Sequence, residues 1–177
     1  MLNKSEKIIV VGKSGSGKNF LFDQLVEKGL KHSIKITTRP IRQNEIEGKD
    51  YHFISESKFN SILNDNLFIV NQDFHNDKND LWKYGVLKED FKNSQVFIMT
   101  PGEIGQIDEE SRRGCFIVYL DIDRETREDR LFKREDANDS IIRRLDSDEK
   151  DFNGFSDYDL KITDPLFSVD DIISLMY

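Results

Sequence analysis

The sequence predicts a three-layer α/β/α domain with a mostly parallel sheet at its centre. Three observations lead there. Apolar runs of strand length recur along the chain, and most are continuous rather than alternating, as in strands covered on both faces. Helical patterns lie between most of these runs, the order that parallel strands with helical crossovers produce. The chain has 177 residues, 37% of them apolar and 13 of them Phe, which suffices for one domain with a sizeable core.

Strands are expected at Lys7–Val11, Ile34–Thr37, Leu67–Val70, Gln95–Met99, Cys115–Leu120 and Leu160–Ile162. Helices are expected at Lys18–Lys28, where Gly29 supplies the stop, and at Ser57–Asn64, Leu87–Lys92, Arg124–Glu135, Asp139–Lys150 and Val169–Met176. The rhythm breaks between about Ile34 and Phe91, where the strands are short and polar. Within it, Asn76-Asp77-Lys78-Asn79-Asp80 reads as a solvated loop. This segment is expected as a subdomain inserted over the carboxyl edge of the sheet, where open α/β folds bind ligands.

Lys and Arg number 26 against 34 Asp and Glu, a formal charge of −8. With no excess of cations to exchange for counterions, nucleic acid and anionic membranes are excluded as general partners. The one cysteine, Cys115, rules out a disulfide framework or a cysteine zinc cluster, and its apolar run reads as a buried strand. Met1 to Lys7 carries charge but no apolar secretory core. A cytoplasmic protein, monomer or homodimer, with small-molecule partners is expected.

The run Ile8-Ile9-Val10-Val11-Gly12-Lys13-Ser14-Gly15-Ser16-Gly17-Lys18-Asn19 carries the most chemistry. A buried strand leads into Gly-x-x-x-x-Gly-Lys, and a helical pattern follows. Glycines let the backbone curl until successive N–H groups converge on an anion at the positive end of the helix. Lys18 then adds a mobile cation for the β- and γ-phosphates of a nucleotide. Gly12, Ser14, Gly15, Ser16, Gly17, Lys18 and Asn19 form this candidate phosphate loop. At position 19 an amide stands where a Ser or Thr hydroxyl usually holds Mg²⁺, so Asn19 becomes the metal-ligand candidate.

A second anion grip is legible further on. Arg39 and Arg42 lie three apart, near the Gly48 turn and Tyr51. Guanidinium forks suit bidentate phosphate binding, and a phenol adds one more hydrogen bond. A charged surface hairpin has the same composition. On the helix expected from Arg124, three guanidiniums (Arg127, Arg130 and Arg134) fall at 3- and 4-residue spacing. Such a face either stabilises transferred phosphoryl charge or forms salt bridges with the interleaved acids.

Thr37-Thr38-Arg39-Pro40-Ile41-Arg42-Gln43-Asn44-Glu45-Ile46-Glu47-Gly48-Lys49-Asp50-Tyr51-His52-Phe53 resembles, position by position, the acceptor motif of the guanylate kinase family. The resemblance extends to Arg130-Leu131, Arg134 and Arg144-Leu145 as lid arginines, and to Asp159–Asp164 as the late strand and adenine-side turn. It implies a P-loop NTPase fold in three parts: core 1–33, 92–123 and 151–177, acceptor-binding region 34–91, and helical lid 124–150. It implies ATP and Mg²⁺ as cofactors and γ-phosphoryl transfer to GMP or dGMP. Thr37, Arg39, Arg42, Tyr51 and Tyr84 would hold the acceptor, Asp164 the adenine side, and Lys18, Arg130, Arg134 and Arg144 the transferred group.

Departures from that family cluster on the acceptor base and the metal. Val70 and Val86 occupy the guanine-reading positions, which leaves neighbouring Gln72 or, better, Asp73 to accept from a base. Met99-Thr100-Pro101 replaces the family's Asp-x-Asp, with Glu103 the nearest carboxylate, and Thr163 replaces the turn Asn. Val after Tyr-Gly and the missing Asp-x-Asp also resemble ribose 1,5-bisphosphate phosphokinase. The alternatives are therefore a phosphorylated sugar as acceptor, or a non-catalytic binding module.

Overall fold

The computed structural model describes residues 7–76, 78–133 and 141–175. In chain order the elements are β1 (Lys7–Gly12), α1 (Lys18–Glu27), β2 (Ile36–Thr37), β3 (His52–Phe53), α2 (Glu56–Asn64), β4 (Phe68–His75), β5 (Leu81–Leu87) and α3 (Lys88–Asn93). Then follow β6 (Val96–Ile98), α4 (Pro101–Ile104), α5 (Glu109–Arg113), β7 (Cys115–Leu120), α6 (Arg124–Lys133), α7 (Ile141–Asp151), β8 (Leu160–Ile162) and α8 (Val169–Ser174). Contacts divide the chain into two compact units, residues 1–31 with 95–177, and residues 32–94.

In the first unit four parallel strands run in the order β6-β1-β7-β8. Ile9, Val10, Val11, Ile117, Val118 and Leu120 have no exposed surface, which is why their runs are continuously apolar. Leu21 and Leu25 of α1 and Ile172 of α8 pack on Ile8, Val10, Val118 and Leu120. α1 ends where expected, with Gly29 at φ 91°, in the left-handed backbone that glycine adopts without strain. Cys115 is buried, as its run predicted. Its Sγ donates to the Ser111 carbonyl at 3.3 Å, and burial pushes the thiol up to about 11.

The second unit is a mixed four-stranded sheet, β3-β2-β5-β4. β2 pairs parallel with β3 and antiparallel with β5, and β4 and β5 form an antiparallel hairpin. A register shift between Phe68 and Val70 decides which side chains share a face. The Phe68 ring covers Gly85, where an added Cβ would lie 2.6 Å from it, and packs with Ile36 and with Phe59 of α2. Val70 pairs with Val86, the neighbour of Gly85, and so points to the opposite face. From there on, Gln72 and Phe74 share the face of Tyr84 and Trp82. Asn71 and Asp73 share the α2 face with Gly85 and Lys83, and Lys83 Nζ donates to Asn60 of α2.

Several elements differ from the sequence expectation. β5 was not expected, because Lys83 and Gly85 interrupt its apolar pattern, yet Gly85 is the position that admits the Phe68 ring. β4 runs on to His75 rather than ending at Val70, since β5 pairs with its polar half. Of the Asn/Asp stretch, Lys78, Asn79 and Asp80 are exposed at the end of this hairpin. The Asn76 carboxamide oxygen accepts from the N–H groups of Lys78 and Asp80. α4 and α5 are short additions; Thr100 and Glu103 form a capping box on α4. The expected ends Glu135, Asp139 and Met176 lie outside the described residues. Among those described, no helix is long and apolar enough to cross a membrane.

Candidate active site

In the first unit, β1 delivers Gly12 to the start of the loop, and α1 begins just after Gly17. Gly15 and Gly17 have φ of 78° and 98°, and a Cβ on Gly15 would lie 2.6 Å from the Arg127 carbonyl oxygen. The loop therefore requires glycine on both backbone and contact grounds. Ser16 is fully buried, and its Oγ has no hydrogen-bond partner among the described residues. Lys18 Nζ donates to the Lys13 carbonyl at 2.8 Å, which holds the ammonium on the loop itself.

Arg127 does not join Arg130 on an open face. It is 1% exposed, donating through Nε to the Ile122 carbonyl at 2.9 Å and through Nη2 to Glu149 at 2.7 Å. Arg130 is half-buried and bridges the carbonyls of Gly15 at 3.2 Å and Pro165 at 3.0 Å. Arg134 lies outside the described residues. Arg144 is half-buried on α7, beside the buried Leu145. α7 also sends two carboxylates to the loop: Asp148 accepts from the Ser14 N–H at 2.7 Å, and Glu149 pairs with Lys13 at 2.6 Å. Hydrogen bonding from Lys13, then from Arg127, holds the Glu149 carboxyl below the usual range. No residue pattern could have announced this pair, because the partners lie far apart in sequence.

Four further acids of this unit have partners of their own. Asp123 caps α6 by accepting from the Thr126 N–H at 2.8 Å, Asp121 pairs with Lys161 at 2.7 Å, and Asp164 accepts from the Leu166 N–H in an exposed turn. Glu103, 1% exposed, accepts from the Thr100 N–H within the capping box. Among the described residues no group of three or more His, Cys, Asp or Glu is placed to hold a metal ion. Mg²⁺ commonly arrives with phosphates and needs only one or two protein oxygens. The exposed Asn19 amide, next to Lys18, suits that donor set, and the curled loop suits the phosphates.

In the second unit the segment after β2 folds onto itself. Arg39, 4% exposed at its side chain, forms a bidentate pair with Glu45, Nη2 to Oε1 at 2.6 Å and Nη1 to Oε2 at 2.9 Å. Glu45 also accepts from the Arg42 N–H at 2.8 Å. Burial would raise the Glu45 carboxyl, but hydrogen bonds from Arg39 and Arg42 outweigh it and hold it low. The Arg39 guanidinium lies over the Tyr51 and Phe53 rings, 5.3 and 5.6 Å from their centroids. Tyr84 stands edge-on to Tyr51 at 5.9 Å, its phenol raised by burial.

Thr37 is fully buried; its Oγ1 donates to the Lys83 carbonyl and accepts from the Arg39 N–H. Thr37, Arg39, Tyr51 and Tyr84 are thus brought together, while the Arg42 side chain is exposed. Asp73, expected beside the acceptor, is exposed on the α2 face opposite Lys83. The register shift in β4 is the reason, and it puts Gln72 opposite Tyr84 instead. Val70 and Val86 face each other, both fully buried. Sequence reasoning gave Glu45 no role; its carboxylate three residues after Arg42 was the available signal.

The Glu45 pair makes a pH prediction. The folded carboxyl titrates below the ordinary glutamate value of 4.5. Its contribution to stability is therefore complete above that pH and lost as the pH falls through the lower folded value. In urea unfolding from about pH 6 to about pH 3, Glu45→Gln is expected to flatten the loss of stability relative to the unsubstituted chain. Parallel curves would contradict it.

A sequence profile of the guanylate kinase family matches residues 4–174. A guanylate kinase of Sulfurimonas denitrificans is 30% identical over 173 residues, covering 92% of this chain and 82% of that protein. One from Caldanaerobacter subterraneus subsp. tengcongensis is 31% identical over 156 residues, covering 85% and 75%. The crystal structure of guanylate kinase from Anaplasma phagocytophilum superposes with a TM-score of 0.68, over 99% of this chain and 86% of that one. Its 19% identity speaks for the fold alone. The long match through the acceptor motif, the P-loop NTPase fold and these relatives agree: the chain belongs to the guanylate kinase family.

Proposed function

We propose that the chain transfers the γ-phosphoryl group of ATP to GMP or dGMP. The observation that carries this reading is the buried Arg39–Glu45 pair, which fixes a guanidinium beside two phenols in a chain that also has a phosphate loop. In this reading residues 34–91 take the acceptor, 124–150 act as the lid, and the remainder is the core. The N–H groups from Gly12 to Asn19 and the Lys18 ammonium hold the donor phosphates. Arg39, Arg42, Tyr51 and Tyr84 hold the acceptor phosphate, with Thr37 setting the turn that presents Arg39. Arg130, Arg134 and Arg144 neutralise charge on the transferred group, and Asp164 lies on the adenine side. Asn19 would hold Mg²⁺ together with the ATP phosphates, and the ion would supply charge withdrawal from them. Phosphoryl transfer needs this positioning and charge stabilisation more than covalent help.

A second reading is favoured by the Val70–Val86 pair. Fully buried against each other's strand, these side chains present nothing that accepts from guanine N–H groups. Gln72, on the Tyr84 face, offers an amide in their place; without that contact the acceptor is a phosphorylated sugar. Coupled ADP release with Mg·ATP against GMP, dGMP, AMP, CMP, UMP, dTMP and ribose 1,5-bisphosphate decides. Turnover on GMP or dGMP is expected. Turnover confined to the sugar establishes the second reading, and silence with ATP still bound leaves a binding module.

A further inference from the structure

The Ser14 N–H, one of the loop donors assigned above to the nucleotide, is already engaged. Asp148 of α7 accepts from it at 2.7 Å, a charge-assisted hydrogen bond of the kind a phosphate oxygen would make. The carboxylate is well enclosed, its side chain 17% exposed, with the Arg127 guanidinium 3.9 Å away. Next along the helix, Glu149 bonds Lys13 at 2.6 Å and Arg127 at 2.7 Å. Two acids of one helical turn thus face two cations and one backbone donor of the loop region. These two acids offset the charges of Lys13 and Arg127.

We propose that Asp148 is an internal stand-in for a donor phosphate, a latch that α7 sets on the loop and that the triphosphate must displace. The proposal rests on reading the loop as the donor site. Two anions cannot share the Ser14 N–H, and a triphosphate in the loop repels a carboxylate held within hydrogen-bond reach of it. Glu149 holds the latch in register, since its ion pairs anchor α7 to Lys13 and to the buried Arg127. Arg144 lies four residues before Asp148, on the same side of α7. Donor entry therefore exchanges an acid for a cation, with a displacement of about one helical turn, ~5.4 Å.

The latch lowers donor affinity by the fraction of molecules in which it is closed. The test is calorimetric titration of Mg·ATP, of ATP in excess EDTA, and of inorganic tripolyphosphate. The proteins are the unsubstituted chain, Asp148→Ala and Asp148→Asn, with Lys18→Ala as reference. Asp148→Ala is expected to bind all three ligands about five- to tenfold more tightly. Asp148→Asn, which keeps an oxygen acceptor but loses the charge, should fall between. Melting without ligand should stay level or drop by a few degrees in both variants. A merely structural residue would weaken binding together with stability, so the opposed signs are diagnostic. Unchanged or weaker binding overturns the latch. Weakening only when Mg²⁺ is present also overturns it, because Asp148 would then be a cation ligand. No binding of ATP or tripolyphosphate by any of the proteins overturns the donor-site reading itself.

Discussion

Lys18→Ala is expected to lower the rate of phosphoryl transfer about 10²–10³-fold while shifting the melting temperature little. The ammonium is half-buried and donates to the Lys13 carbonyl at 2.8 Å, so it lies on the loop without filling the core. The chemistry asks it to follow charge as it develops on the β- and γ-oxygens. In the proposed transfer the backbone N–H groups would contact the phosphates in ground and transition states alike. Removing Lys18 should therefore cost rate more than donor affinity. Lys18→Arg should not rescue, because a planar fork cannot replace a compact cation inside a glycine loop. Saturating ADP-release kinetics beside a thermal melt separates the two effects. A rate within about threefold of the unsubstituted chain would remove Lys18 from the transfer step.

Arg39→Ala carries the second large expectation, and it acts on stability and acceptor together. It leaves Glu45 largely enclosed, at 16% side-chain exposure, without its guanidinium. Breaking such a pair costs about 3–5 kcal/mol, a large share of a domain's total stability. The acceptor KM should rise about 100-fold, through loss of a charge-assisted fork. The two roles separate in the double variant Arg39→Met, Glu45→Leu. Replacing both charges by apolar groups of similar volume often restores stability, yet it takes the Arg39 guanidinium away from the proposed acceptor-phosphate site. Recovered melting with persistent loss of acceptor binding is the expected result. Recovery of both would make Arg39 a purely architectural residue. Arg39→Lys should rescue neither, since an ammonium cannot form the paired bonds to Glu45 at 2.6 and 2.9 Å.

Legibility in the sequence followed the range of the interactions. β1, the loop and α1 are contiguous, and their continuous apolar strand, glycine spacing and helical pattern all lie within about thirty residues. The parallel sheet was legible because strands buried on both faces leave an uninterrupted apolar record. The second unit was harder, because its strands are decided by their partners. β5 reads as broken at Lys83 and Gly85 until the Phe68 ring and α2 are placed against them. The shift between Phe68 and Val70 leaves no local mark, yet it determines that Gln72 rather than Asp73 shares the face of Tyr84. On the helix expected from Arg124, helical spacing grouped Arg127 with Arg130 and Arg134. Spacing cannot say which turn of a helix is covered, and of the two arginines among the described residues Arg127 is buried and Arg130 half-buried.

The single cysteine makes this protein ready for site-directed labelling in its native sequence. A thiol pushed up to about 11 is deprotonated in roughly one molecule in 10⁴ at neutral pH, and Cys115 is buried besides. The folded chain should remain unmodified by a maleimide dye while urea-unfolded chain reacts fully, a contrast that mass spectrometry reads directly. The substitution Ile142→Cys at an exposed position of α7 would then carry a fluorophore alone, with no native cysteine to remove, and would test the proposed movement of that helix on addition of ATP.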